Sequence, residues 1–212
     1  MSFQALIVDY GVVLTTPLQD AMVAFADELG IELQDLVRVA LSEYAGGSDP
    51  LVVSFETGQM PEAEFTREFA ARLSEVTSSP VEPDGLVGRL FGGMSLEEGM
   101  FEAVAAAQAA GFKTALLSNS WGLDLYPRVK LAQLFDVIVI SGEVGLRKPD
   151  PAIFELTTDK LDVPHEACVF VDDHPGHLKA AQELGMTTVL HRSPDETVAE
   201  LEGLLGIGLR QG

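Results

Sequence analysis

Four polar clusters in this 212-residue sequence each follow a short apolar run. Asp9 closes the run Ala5-Leu-Ile-Val, and Ser118-Asn119 closes Ala115-Leu-Leu. Lys148 stands in the stretch Gly142–Pro151 shortly after Val137–Ile140, and Asp172-Asp173 closes Val169-Phe-Val. Short, near-continuous apolar runs are what parallel strands buried on both faces look like in sequence. In an open α/β sheet, ligands bind outside the carboxyl ends of the strands. The chain is therefore expected to gather three carboxylates, a hydroxyl, an amide and a lysine at one sheet edge.

Carboxylates crowded in this way repel one another unless a cation sits among them. An oxygen-only donor set suits Mg²⁺, which takes one or two carboxylates, several waters and phosphate oxygens. Asp9 would ligate through one oxygen and attack phosphorus with the other, forming an aspartyl-phosphate. Ser118 and Asn119, at a strand end leading into a helix, would donate to phosphate oxygens. Lys148 would offset the negative charge and pair with the transferred group, from a loop stiffened by Pro149 and Pro151.

Strands are expected at 4–10, 113–118, 136–140, 167–171 and 187–190. Helices are expected between them at 97–110, 123–134, 151–161, 176–184 and 195–205, with Gly111 and Gly185 at helix ends. This alternation predicts a doubly wound, Rossmann-like parallel sheet. From about Pro17 to Met94 the rhythm breaks, with helical patterns at 18–29, 34–43, 61–75 and 84–91 and no strand signal. Roughly eighty residues are too many for a simple crossover, so this stretch reads as a helical cap inserted after the first strand. The predicted division is a core of 1–16 and 95–212 and a cap of 17–94, with linkers near Leu14–Leu18 and Gly92–Leu96.

In chain order these residues resemble the motifs of the haloacid-dehalogenase-like superfamily. Asp9-Tyr-Gly-Val-Val-Leu14 is similar to its first motif and Leu117-Ser118-Asn119 to its second. Arg147-Lys148-Pro149-Asp150-Pro151 is similar to the third, and Val169-Phe-Val-Asp172-Asp173 to the fourth. The run Gly-Leu-Arg-Lys-Pro-Asp-Pro with Phe-Val-Asp-Asp most resembles the branch containing the phosphatase domain of epoxide hydrolases and sugar-phosphate phosphatases. The resemblance implies a Mg²⁺-dependent phosphatase acting on a small phosphorylated metabolite. It also implies metal ligation by Asp9, the Gly11 carbonyl and Asp173, with Asp172 in or just behind that shell.

One departure is chemical. Phosphatases of this superfamily carry a second Asp two residues after the nucleophile as general acid and base, and here that residue is Gly11. General acid–base help is worth ~10²–10⁴-fold, so leaving groups that need no proton would suffer least. His174, beside the metal pair, is a candidate substitute, and His177 stands where the branch usually has Asn. Two other readings stay open: a 2-haloacid dehalogenase-type hydrolase, and a catalytically weak phosphate-binding or regulatory protein. Trp121 and Tyr10 are candidate pocket walls, Phe55, Phe65 and Phe69 candidate cap core, and the acidic cap residues a solvated face.

Bulk properties narrow the partners. With 33 acidic against 13 basic side chains, net charge −20, the chain lacks the basic footprint of a nucleic-acid or anionic-membrane binder. No apolar stretch approaches the ~20 residues of a membrane helix. No signal segment is read before the first strand, and the single cysteine, Cys168, fits a buried thiol in a reducing compartment. A cytoplasmic location is the expectation.

Overall fold

A computed structural model describes residues 2–40 and 49–210. Five parallel strands form one sheet in the order β3-β2-β1-β4-β5. They are β1 (Ala5–Val8), β2 (Lys113–Ser118), β3 (Val137–Ile140), β4 (Cys168–Asp172) and β5 (Thr187–Leu190). Each starts or ends within one residue of its predicted position, apart from β1, which is shorter at its end. In register, Ile7 lies beside Ala115 on one side and Phe170 on the other. The chain moves outward from β1 in both directions, so the loops after β1 and β4 diverge and open a crevice between them.

The period-2 alternation of each strand divides the apolar side chains between two faces. Leu6, Val8, Leu116, Val169 and Val171 pack on one side, and Ala5, Ile7, Leu117, Cys168 and Phe170 on the other. The first face is covered by α6 (Glu98–Ala109), α7 (Arg128–Leu134) and α11 (Pro194–Leu205). The second is covered by α9 (Pro151–Leu161) and α10 (Pro175–Glu183). Pro at the first position helps start α9, α10 and α11, where fixed φ suits the helix and no amide is lost. The residue before each proline caps it: Asp150, His174 and Ser193 accept from main-chain N–H groups.

Between β1 and β2 the helical cap comprises α1 (Leu18–Leu29), α2 (Leu33–Ala40), α3 (Pro50–Glu56), α4 (Glu62–Thr77) and α5 (Leu86–Phe91). It has its own core, in which Phe55 stacks on Phe65 at 4.1 Å and Phe65 on Phe69 at 5.3 Å. The expected second cap helix runs into residues 41–43, outside the described residues, as do Gly46 and Gly47. Helix α3 was not predicted: its Leu-Val-Val-Ser-Phe run is too short to show a helical period, yet Asp49 caps it and Pro50 starts it. The helix expected from 123 begins only at Arg128. Pro127 disfavours helical geometry in the residue before it, so Leu123–Leu125 form a 3₁₀ turn and Tyr126 is extended. A single turn, α8 (Ser141–Val144), also escaped prediction.

The two linkers run side by side. Thr15 bridges Leu96 in antiparallel fashion, the Thr16 amide donates to Ser95 O at 2.8 Å, and the Glu97 amide donates to Leu14 O at 2.9 Å. A second cap–core contact lies at Gly58 (φ +69°), where an added Cβ would sit 2.3 Å from the Gly142 carbonyl oxygen. Gly85 has nearly the same φ (+65°) but open space around it. Both Gly→Ala changes incur the left-handed penalty of about 1–2 kcal/mol, and only Gly58→Ala adds a backbone collision. Urea denaturation is expected to show Gly58→Ala as the more destabilised; equal losses would mean the close approach carries no energy.

Candidate active site

Lys148 is fully buried, which is tolerable only because its ammonium is paired. Its Nζ lies 2.9 Å from Asp9 Oδ1 and 2.6 Å from Asp172 Oδ2. Burial pushes the lysine pKa down, but Asp172 and then Asp9 push it up further, so the net direction is upward. Asp172 is equally inaccessible. Burial raises its pKa, yet Lys148 and His177 outweigh that and hold it down to about 2. Its oxygens also receive the His174 main-chain N–H at 2.7 Å and face His177 Nδ1 at 3.1 Å.

Asp9 is buried, and the Tyr10 amide donates to its Oδ1 at 2.7 Å. Oδ1 is thus held by Lys148 and a main-chain donor, and Oδ2 takes no part in that clamp. Asp9, Asp172 and Asp173 place oxygens within 4.8 Å of one another. Asp173 pays the electrostatic cost: burial first, then Asp9 and Asp172, raise its pKa to about 7. Three carboxylates against one lysine leave excess negative charge among oxygen donors, which fits a hard divalent cation. The turn that follows Asp9 is tight. The Val13 amide donates to the Gly11 carbonyl at 2.7 Å, and Val12 sits in the left-handed region at φ 64°. Such geometry is uncommon for a β-branched residue and is the kind of strain that persists at functional loops.

Ser118 Oγ and the Tyr126 hydroxyl are 2.9 Å apart, and burial raises the Tyr126 pKa. The Asn119 side chain donates from Nδ2 to Lys148 O at 3.0 Å and accepts the Lys148 amide on Oδ1 at 2.8 Å. Oδ1 and one Nδ2 hydrogen thus fix the Lys148 main chain, and the second Nδ2 hydrogen is left over. Gly11, Ser118 and Asn119 line one cavity of about 720 Å³ together with Tyr10, Trp121 and Tyr126. His174 does not line it; the ring accepts the Gly176 amide through Nδ1 at the start of α10.

A family model for haloacid dehalogenase-like hydrolases matches residues 2–185. The chain belongs to that family. It is 30% identical over 225 residues to bifunctional epoxide hydrolase 2 of Sus scrofa, covering all of this chain and 40% of that protein. A predicted HAD-like family hydrolase from Porphyromonas gingivalis superposes with a TM-score of 0.74 at 21% identity, over 97% of this chain and 98% of that one. A HAD family enzyme from Bacteroides thetaiotaomicron, solved with magnesium and inorganic phosphate, has a TM-score of 0.62 at 20% identity over 90% and 95% of the two chains. The chain thus spans less than half of the pig protein it matches.

This haloacid dehalogenase-like hydrolase also links site and cap through residues that sequence reasoning missed. Glu56 was expected among solvated cap charges, but it is only 4% exposed and lies with Oε2 2.9 Å from Arg147 Nε, beside Lys148. Its main-chain oxygen accepts from Ser141 Oγ, which in turn accepts the Ser120 amide at 2.8 Å. Nothing in a seven-residue helix marks its last carboxylate as buried; only the Arg in the following motif was a signal. Trp121, suspected as a wall, does line the cavity, held by Phe65 at 5.8 Å and Phe91 at 5.4 Å.

The raised acid in this hydrolase has a thermodynamic consequence. Unfolded, Asp173 titrates near its ordinary value of 3.8; folded, it titrates at about 7, so between these values the native state holds the extra proton. Stability must therefore fall as pH rises through that window, and Asp9, also raised, acts in the same direction. Asp172, lowered to about 2, has the opposite sign, and its contribution is lost only in acid below its ordinary 3.8. In chelator, thermal melts from about pH 5 to about pH 8 should show a falling midpoint, and Asp173→Asn should flatten the slope. A midpoint that rises with pH would contradict this electrostatic description.

Proposed function

We propose that this hydrolase is a Mg²⁺-dependent phosphatase acting on a small phosphorylated metabolite through an aspartyl-phosphate on Asp9. The observation that carries the reading is the buried Lys148 held between Asp9 and Asp172, with Asp173 in the same oxygen cluster. Asp9 Oδ1, fixed by Lys148 and the Tyr10 amide, leaves Oδ2 to attack phosphorus. Lys148 then faces the charge that the transferred group brings. The Ser118 hydroxyl, oriented by Tyr126, is the donor for a phosphoryl oxygen.

Asp9, Asp173 and the Gly11 carbonyl would hold Mg²⁺, with Asp172 behind them as the partner that keeps Lys148 charged and His177 in place. The ion would supply charge neutralisation and polarise the phosphoryl group. The magnesium- and phosphate-bound structure of the Bacteroides relative supports this assignment by likeness of fold. Three crowded carboxylates are of no use to halide displacement from carbon, so the dehalogenase reading receives less support. We further propose residues 17–94 as the cap that closes over this edge, and a cytoplasmic setting. Among the described residues no helix is long and apolar enough to cross a membrane.

Purified protein with Mg²⁺ is expected to release phosphate from a panel of phosphomonoesters, and Asp9→Asn to release none. Beryllium fluoride should form an adduct in the wild type and not in Asp9→Asn, as seen by ¹⁹F NMR. An adduct without turnover of any substrate would favour the phosphate-binding, regulatory alternative. Asp173→Ala should abolish the Mg²⁺ requirement together with activity; metal binding at wild-type strength, measured by calorimetry, would refute that ligand.

A further inference from the structure

We infer that the substrates of this site are monoaryl phosphates, whose leaving group is a flat, otherwise uncharged aromatic alcohol that departs without a proton. The inference rests on the phosphatase reading and adds the class of ester. Two independent features of the cavity carry it: what its walls are made of, and what stands beside the nucleophile.

The cavity of about 720 Å³ falls in the range that encloses a drug-sized molecule. Its phosphate end is Gly11, Ser118 and Asn119, and its walls include Phe91, Trp121, Leu125 and Tyr126. The Tyr10 and Tyr126 rings meet at 4.7 Å, and Trp121 is braced by three phenylalanines, Phe65, Phe69 and Phe91. These rings are fixed before any ligand arrives, so they favour a rigid aromatic guest over a flexible aliphatic one of similar area. No lysine or arginine is among the described lining residues, while Glu98 and Asp124 are. A second phosphate or a carboxylate on the leaving group would meet like charge from the wall, where the nearby Lys130 is already paired with Glu98.

Beside Asp9 the position that would carry the proton donor is Gly11, and a Cβ built there touches nothing within 4 Å. The space is open, not occupied by a substitute. Of the other proton-bearing groups that line the cavity, the Tyr10 hydroxyl donates to Leu125 O at 3.1 Å and the Tyr126 hydroxyl is engaged with Ser118 Oγ. Glu98 is paired with Lys130 at 2.7 Å, and Asp124 is an exposed residue of the 3₁₀ turn. A leaving alkoxide would therefore depart unprotonated, whereas a phenolate spreads its charge into the ring. In the first step an Asp9 oxygen bonds to phosphorus as the P–O(aryl) bond breaks, and the electron pair leaves on the phenolate oxygen. In the second, water bonds to phosphorus as the Asp9 O–P bond breaks, one of its protons passing to a phosphoryl oxygen, which releases dihydrogen phosphate and restores the carboxylate.

The test compares phosphate release by the full chain with Mg²⁺ from 2-naphthyl phosphate, a series of substituted phenyl phosphates, and 2-cyclohexylethyl phosphate. The expected result is a kcat/KM that rises steeply with phenol acidity and an alkyl ester slower by ~10²–10⁴-fold, the usual worth of a missing general acid. Gly11→Asp should narrow that gap by at least about tenfold. Trp121→Leu, which keeps an apolar side chain against the cap core, should raise the KM for 2-naphthyl phosphate about tenfold while kcat moves little. Alkyl and aryl esters turned over alike, an Asp124→Asn variant that selectively loses the alkyl ester, or an unchanged KM in Trp121→Leu would each overturn the class and leave the phosphatase reading standing. Release from none of these esters would remove that reading and the class with it.

Discussion

A lysine ammonium with no access to water is an unusual object, and the rest of the site is arranged around making it tolerable. Lys148 survives burial because two carboxylates from different strands converge on it. That requirement fixes the relation between the loop after β3 and the ends of β1 and β4. Asn119 adds a second constraint by grasping the Lys148 main chain from both sides. Removing either carboxylate would leave the buried charge only half compensated, a cost much larger than that of losing a surface pair. The same arrangement serves chemistry. A cation whose own surroundings cannot relax is already oriented for incoming negative charge, so under the proposed phosphatase reading little reorganisation would remain when the substrate binds.

Much of this was legible in the sequence because parallel strands and strand-end carboxylates leave strong local signals. The runs ending at Asp9, Ser118 and Asp172 were found from hydrophobicity alone, and sheet topology then brings their ends together. Less legible were relations that depend on which partner a side chain meets across the fold. Asn119 was read from its place beside Ser118, and only the position of Lys148 shows that its side chain also holds that residue's main chain. Glu56 lay outside every helix read from the sequence and looked like one more acidic residue of the cap. Its burial follows from the approach of α3 to α8, two short helices whose existence the periodicity did not reveal. Tyr126 was hidden for a related reason: Pro127 displaces the helix start, leaving the tyrosine extended and turned toward Ser118.

Cap and core are joined by unlike means at two places. One is a strip of main-chain hydrogen bonds, and the other a patch where Ser141, Glu56 and Arg147 meet beside the loop bearing Lys148. The second patch has few side-chain atoms with freedom to move, since Gly58 and Gly142 bring two backbones close. Glu56 of α3 thus contacts Arg147, the residue next to Lys148 in the chain. The cavity between these places owes its aromatic wall to both bodies, with Phe91 from the cap and Trp121 and Tyr126 from the loop after β2.

The paired linkers have a further implication for how such a molecule is built. Because Thr15 and Leu96 are bonded neighbours, the polypeptide departs from the sheet and comes back through a single doorway. A short hairpin there would close the gap between the two linkers, so the connectivity of the sheet does not itself require the segment beyond the doorway. What leaves after β1 and returns before β2 is thus, in topology, an insertion, rooted in the core by two backbones bonded side by side.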